Sequence, residues 1–442
     1  MTIAAIATYP GHAALGTIRV SGPGTLDIIS RFVVAPDLKP IPFSNQPRHS
    51  FFAKFMDANV LVDEVVAVYF KGPHSYTGED SAEITFHGNP ILLKSALRLL
   101  VESGIRLAEP GEFTSRAFRN GQLDLTRAES VKRLIEAKSE YELSAARAIF
   151  GGELSRRMSI LRSAMIGLKA ETEAEVDFST EDLTFQSREE RRARVLGLIA
   201  ELDSLLARGS ATGRIREGIS IAIVGVPNAG KSSLLNRLLG YDRAIVTEVA
   251  GTTRDTLSEE LQIAGIPVRL VDTAGIRETN DIVEREGVRR SQRELEESTL
   301  VIHVIDGSRE SYASIVESDR DNVIHVINKA DRLHPGANPG SAIQVSCLTG
   351  AGMDHVEEAI RDRVLERPES RDPILLEERH RFHLLAMKAT LTKIMELWQQ
   401  NAPDEITALE IDDVIDHIGS ITGRISNEEI LGRIFSTFCV GK

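Results

Sequence analysis

The sequence predicts a multidomain chain: an α+β N-terminal domain, an all-α helical domain, and an α/β unit inserted into the helical one. Three observations carry this. Short apolar or alternating runs broken by Gly and Pro give way, after Glu112, to a long stretch poor in both. At Ile219 strand-like and helix-like runs begin to alternate, and they stop near Leu365. Beyond Arg367-Pro368 the pattern is helical again for roughly 75 residues, too few for an independent core, so these helices are expected to pack on the earlier ones.

The expected boundaries are 1–116, 117–213, 214–370 and 371–442, consistent with two or three domains at ~150 residues each. In the first region Thr17-Ile18-Arg19-Val20 and Val65-Val66-Ala67-Val68-Tyr69-Phe70 read as strands. A helix is expected from Ile91 to Glu102, with Ile91, Leu92, Ala96, Leu99 and Leu100 at helical spacing. Between Ala117 and Ala207 the composition favours long amphipathic helices, and Val131, Leu134 and Ile135 show the period. Ser426-Asn427-Glu428-Glu429 forms a capping box ahead of Ile430, Leu431, Ile434 and Phe435.

Composition narrows the setting. Met1-Thr2-Ile3-Ala4-Ala5 has no basic leader, and no apolar run approaches the ~18 residues of a membrane span, so a soluble cytoplasmic protein is expected. Two cysteines, Cys347 and Cys439, are too few for a disulfide framework. The net charge of −13 argues against coating nucleic acid unaided, so an RNA substrate would need a local basic patch or a basic partner. The cluster Arg188, Arg191, Arg192 and Arg194 is interleaved with Glu189 and Glu190 and reads as a solvated helix face.

Chemistry enters with Gly225-Val226-Pro227-Asn228-Ala229-Gly230-Lys231-Ser232, which follows the strand run Ser220–Val224 and precedes the helical Leu234, Leu235 and Leu238. This is a phosphate-binding loop in its required strand-to-helix context. Glycines let backbone N–H groups approach phosphate, Lys231 supplies positive charge, and the Ser232 hydroxyl ligates Mg²⁺. A second strand ends at Asp272-Thr273-Ala274-Gly275, where Asp can hold Mg²⁺ through water and the Gly N–H can sense a γ-phosphate. A third ends at Asn328-Lys329-Ala330-Asp331. The Asp331 carboxylate can accept from guanine N1–H and N2–H₂, whereas adenine would leave it unpaired, so the nucleotide is GTP. Ser346, Cys347 and Leu348 stand at the spacing of the last base-contacting loop, with Ser233 completing the phosphate side.

Ala250-Gly251-Thr252-Thr253-Arg254-Asp255 lies between the first and second motifs, where a switch that orders on GTP should be. Thr253 is the expected second hydroxyl on Mg²⁺, with Thr252 its rival. Ras-like proteins place a water-orienting Gln directly after Asp-x-x-Gly, but Ile276 stands there and cannot orient water. Glu278, Asp281 and Glu284 follow in the same segment, and the sequence alone does not choose among them. Asn228 could hold a monovalent cation in place of an arginine finger, or merely close a turn after Pro227.

The chain resembles the tRNA-uridine-modifying GTPase family MnmE, also called TrmE. The resemblance lies in Thr2-Ile3-Ala4-Ala5 through Arg19-Val20-Ser21-Gly22, Tyr76-Thr77-Gly78-Glu79-Asp80, Pro110-Gly111-Glu112-Phe113, Asn228, Ala244-Ile245-Val246-Thr247 through Asp255, and the terminal Phe438-Cys439-Val440-Gly441-Lys442. It implies an N-terminal domain similar to tetrahydrofolate-binding enzymes that dimerises and binds a folate carrying the one-carbon unit, 5,10-methylene- or 5-formyl-tetrahydrofolate. It also implies a homodimer whose G domains associate with GTP, and an FAD-dependent partner, MnmG, in a heterotetramer. Together these place an aminomethyl or carboxymethylaminomethyl group on C5 of wobble uridine 34 of certain tRNAs.

Residue by residue, the resemblance matches K⁺ to Asn228, Thr247, Val249 and Thr252, Mg²⁺ to Ser232 and Thr253, and the water-activating acid to Glu284. Folate contacts match Arg19, Glu83 and Lys442, and Gln122 stands where the family usually has Lys, offering a hydrogen bond without charge. Cys439 acquires a catalytic or positioning role. Without the resemblance, Arg19 and Glu83 would read as a surface ion pair on neighbouring strands, and the GTPase motifs would equally fit a switch in ribosome assembly.

Overall fold

A computed structural model describes residues 1–177, 187–242, 261–271, 298–309, 322–333, 340–366, 368–424 and 428–441. The chain divides into two compact units, one comprising 1–136, 149–195 and 382–442, the other 137–148 and 196–381.

The first unit opens with a seven-stranded sheet. Its strands are β1 (Ile3–Ile6), β2 (Leu15–Ser21), β3 (Val33–Val34), β4 (Ser50–Asp57), β5 (Val60–Phe70), β6 (Ser81–His87) and β7 (Arg106–Leu107), in the order β3-β4-β5-β6-β2-β1-β7. All pairs are antiparallel except β1 with β7. Alternation buries Ile18 and Val20 of β2 and Ala82, Ile84 and Phe86 of β6, the period of a sheet with one covered face.

Two helices contribute to that core: α1 (Thr25–Phe32) with Ile29, and α2 (Pro90–Glu102) with Leu93, Ala96 and Leu100. The Asn89 side chain caps α2 by accepting from the Ile91 N–H at 2.8 Å, and Pro90 occupies the first turn, where its missing donor costs nothing. The capping register differs from the apolar expectation at one position. Ile91 is exposed and Leu93 is the inward residue, because Asn89 fixes where the first turn begins.

Helices follow: α3 (Glu112–Arg119), α4 (Leu125–Glu136), α5 (Glu140–Phe150), α6 (Glu153–Asp177) and α7 (Arg188–Arg216). In the first unit α6 packs along the helix Asp404–Thr422, and α3 and α4 pack with the helix Glu428–Ser436 around Ala117, Leu125, Ala128, Leu431, Phe435 and Phe438. Tyr76 borders this cluster, so the helical core runs into the sheet side without a break. That continuity explains why sheet and helices form one unit although their sequence patterns change abruptly at Glu112. Ser426 and Asn427 of the expected capping box lie outside the described residues. Within the basic cluster Arg192 is exposed and Arg188 and Arg194 are partly so, while Arg191 departs from the solvated face expected of it. Arg191 is 2% exposed, its Nη2 lies 2.6 Å from Glu175 Oε2, and its guanidinium sits 6.0 Å from the Trp398 ring. Glu175 and Trp398 are distant in sequence, and charge burial is tolerated here because a carboxylate accompanies it.

The second unit holds a six-stranded sheet of β8 (Ile219–Val224), β9 (Leu261–Ile263), β10 (Ile266–Val271), β11 (Leu300–Asp306), β12 (Val323–Asn328) and β13 (Ile343–Gln344), ordered β13-β12-β11-β8-β10-β9. Among the described strands only β9 is antiparallel, to β10. Central β8 is apolar on both faces, as a parallel strand covered by helices must be. Helices α8 (Lys231–Asp242) and α9 (Met353–Val364) contribute Leu234, Leu238, Val356 and Ile360 to its core. No helix among the described residues is long and apolar enough to cross a membrane.

Candidate functional site

The loop from Gly225 to Gly230 leaves the C-terminal end of β8, and α8 starts at Lys231. Its backbone demands its sequence. Gly225 has φ +151°, and a Cβ there would overlap the Val304 carbonyl of β11. Gly230 has φ +95°, and a Cβ would strike Asn328 Nδ2. Asn228 adopts φ +66° within the turn in which Ala229 N–H donates to the Val226 carbonyl at 3.2 Å. Asn tolerates this left-handed geometry better than most residues. The turn-closing role is therefore present, and the Asn228 side chain makes no hydrogen bond among the described residues. Lys231 Nζ donates to the carbonyls of Gly225 at 2.8 Å and Val226 at 3.1 Å, which holds the amine over the loop.

Asn328 joins the site's parts. Its Nδ2 donates to the Ala229 carbonyl at 2.9 Å, and its Oδ1 accepts from the Cys347 N–H at 3.2 Å. Ser346 Oγ donates to Asp331 Oδ1 at 2.6 Å, and this bond to the charged form holds the Asp331 carboxyl below its ordinary range. Burial pushes the Cys347 thiol up against the opposing charge of Arg237, so Cys347 is a packed thiol rather than a nucleophile. These elements enclose a cavity of about 590 Å³ lined by Asn228, Lys231, Ser232, Asn328, Asp331 and Leu348, among others. Gly230 and Ser233 also line it, while Ala229 is buried behind the loop.

Asp306 belongs to this site and was not singled out from the sequence. It pairs in register with Asn328, at the same edge of the sheet. Only 5% exposed, its carboxylate accepts from Lys329 Nζ at 2.7 Å, Ser308 Oγ at 2.6 Å and Ser308 N–H at 3.1 Å. Burial raises its pKa, but the Lys329 amine and the Ser308 donors outweigh that and leave it lowered. Lys329 has φ +62°, and its ion pair fixes an otherwise disfavoured backbone. An acid closing the apolar run Leu300–Ile305 was the signal in the sequence.

Thr247, Glu248, Val249, Ala250, Gly251, Thr252, Thr253, Asp272, Thr273, Ala274, Gly275, Ile276, Glu278, Asp281 and Glu284 lie outside the described residues, as does Lys442.

A second constellation lies in the first unit. Arg19 on β2 and Glu83 on β6 are direct cross-strand partners, and Arg19 donates from Nε at 3.0 Å and Nη2 at 2.8 Å to Glu83 Oε1. Arg19 Nη1 donates to the Gly441 carbonyl at 3.3 Å, and its guanidinium lies 5.4 Å from the Tyr76 ring and 5.7 Å from Phe113. The ion pair expected of two strand residues is thus accompanied by two rings and by the 438–441 segment. Cys439 is exposed, and its carbonyl accepts from Gly111 N–H at 3.4 Å. Gln122 is exposed beside the Gly78 turn, and its amide has no hydrogen bond among the described residues. The Gly78 loop is held by Glu79, which accepts from Arg116 Nη1 at 2.9 Å and Ser21 Oγ at 3.0 Å.

A parallel sheet with a glycine loop feeding α8, and a base-side loop tied to it through Asn328, defines a P-loop guanine-nucleotide-binding protein. Comparison with known proteins carries this further. The family description "GTP-binding protein TrmE N-terminus" matches residues 2–122, and "MnmE helical domain" matches 125–439. A "tRNA modification GTPase MnmE" of Leptospira interrogans is 42% identical over 100% of this chain and 99% of its own length. One of Aquifex aeolicus is 43% identical with the same coverage. Among solved structures, the G domain of the T. maritima FeoB iron transporter is 22% identical, covering 34% of this chain and 97% of its own, with a TM-score of 0.21. The chain belongs to the MnmE (TrmE) family, and it is a GTPase.

Proposed function

We propose that this GTPase drives modification of tRNA at C5 of the wobble uridine, adding an aminomethyl or carboxymethylaminomethyl group together with an FAD-dependent MnmG partner. The relatives named as tRNA modification GTPases, similar from one end of the chain to the other, support the substrate class. The observation that carries the nucleotide reading is Asn328, which ties the phosphate loop to the base-side loop around one cavity. There the triphosphate lies along Asn228, Ala229, Gly230, Lys231, Ser232 and Ser233, and Asp331 reads the guanine edge.

The residues fit the expected ions. The Ser232 hydroxyl is exposed and makes no hydrogen bond among the described residues, so it is free to ligate Mg²⁺ with Thr253. The uncommitted Asn228 amide suits K⁺, completed by Thr247, Val249 and Thr252. Bound there, the cations would offset charge on the transferring phosphoryl group. Lys231 contributes a fixed positive charge, Gly275 senses the γ-phosphate, and Glu284 orients water in place of the Gln that Ile276 supplants.

Arg19 and Glu83, flanked by Tyr76 and Phe113, fit a folate: the rings offer stacking surface, and the pair offers donors and acceptors for a pterin edge. When bound, the folate supplies the one-carbon unit. Gln122 and Lys442 complete that site, Cys439 lies beside it, and the protein works as a cytoplasmic homodimer divided at 116, 213 and 370. Mass spectrometry of wobble uridines from cells with and without the gene tests the reading. Loss of the C5 group is expected, and an unchanged nucleoside profile would return the chain to the ribosome-assembly alternative.

A further inference from the structure

We propose that Arg237 is a positioning residue that locks the base-side loop to the phosphate-loop helix and thereby sets the affinity for guanine nucleotide. The proposal rests on the GTP reading of the cavity. Arg237 lies six residues beyond Lys231 on α8, about 9 Å along the axis. Its Nε donates to the Cys347 carbonyl at 3.0 Å and its Nη2 to the Leu348 carbonyl at 3.0 Å. Two successive carbonyls are thus taken by one planar fork, a geometry that a guanidinium offers and a lysine ammonium does not.

The same loop is gripped from its opposite side. Cys347 N–H reaches Asn328, Ser346 Oγ reaches Asp331, and the turn closes through Gly350 N–H to the Ser346 carbonyl at 2.8 Å. Leu348, 74% exposed, borders the cavity. No carboxylate pairs with Arg237 among the described residues, so its described polar partners are these two carbonyls. Because α8 also carries Lys231 and Ser232, Arg237 couples the spacing of the phosphate end to that of the base end. An arginine in this position preorganises the nucleotide's two ends without touching the nucleotide.

The test uses the full chain with Arg237→Ala and Arg237→Lys. Fluorescent-GDP titration and steady-state GTP hydrolysis give affinity, KM and kcat, and thermal melting without nucleotide reports on folding. For Arg237→Ala we expect Kd for GDP and KM for GTP to rise about tenfold, the ratio lost with one charge-assisted hydrogen bond, while turnover at saturating GTP stays within about twofold. Arg237→Lys should recover only part of the affinity, since a point charge holds one carbonyl. Unchanged Kd and KM in a folded Arg237→Ala protein would overturn the proposal, as would a fall in kcat at constant KM. Full recovery by Lys would overturn the fork. Should Arg237→Ala melt below the assay temperature, Arg237→Lys decides alone. Absence of GDP binding by the unaltered protein would instead remove the nucleotide reading beneath it.

Discussion

Asp306 shows how much one buried carboxylate can govern. Its three donors keep it ionised, and through Lys329 it stabilises the left-handed turn that delivers Asn328 and Asp331 to the cavity. Asp306→Asn should lower stability at pH 7 by about 1–2 kcal/mol and weaken GDP binding about tenfold. The pH dependence follows from the direction of its shift. A carboxyl whose pKa is lowered by folding adds stability that is complete above its unfolded value near ~4 and is lost as pH falls through the folded one. Melting of the two proteins should therefore differ most at neutral pH and converge as pH falls through the lowered folded value. A gap independent of pH would show that Asp306 acts by packing alone. The contrast with Asn328 is instructive. Asn328 was legible because its motif has a fixed spacing, whereas Asp306 acts through a partner 23 residues away that only strand register brings near.

At the scale of elements, local pattern succeeded where one segment decides its own fate. β8, its loop and α8 were legible because an apolar run, glycines and a helical period follow one another without a gap. An element was missed where too few residues carry a period, and a side chain was misread where distant elements enclose it. α1, entered from Gly24 at φ +86°, offers a helical period too short to detect in eight residues. Arg191 reads as solvated beside Glu189 and Glu190, yet Trp398 and Glu175 enclose it.

The 438–441 segment bears on the proposed function. Gly441 at φ +95° leaves no room for a Cβ, which would lie 2.5 Å from the Ile6 carbonyl. Gly441→Ala should displace the segment from Arg19 and abolish tRNA modification while GTP hydrolysis stays within about twofold. Gly104→Ala is the control, since its φ is +100° but nothing lies within 4 Å of the added carbon. If both variants behaved alike, backbone strain rather than loss of the docking contact would be responsible.

For the whole molecule, charge frames what the sites can do. With a net charge of −13, the protein repels a polyanion on average, so tRNA must be met by a local patch or a basic partner. On the proposed K⁺ site at Asn228, turnover should depend on the identity of the monovalent ion, because a cation held there would supply the charge that an arginine supplies in other GTPases. GTP hydrolysis in K⁺ should exceed that in Na⁺ at equal ionic strength by about tenfold or more, a loss comparable with removing a transition-state charge contact. Equal rates would leave Asn228 with its turn-closing role only. Domain order was legible in the alternation of patterns, while the joining of sheet and helices into one unit was not, because it rests on contacts such as Tyr76 against the Phe435 cluster.

The bond from Arg19 to Gly441 spans 422 positions. During synthesis, at about 5–20 residues per second, β2 is made tens of seconds before its partner leaves the ribosome. The sheet can form early from its own hairpins, but the contact between Arg19 and Gly441 is made only when that late segment arrives. A chain cut short before Gly441 would thus keep its sheet and lack the contact that Arg19 makes with the late segment.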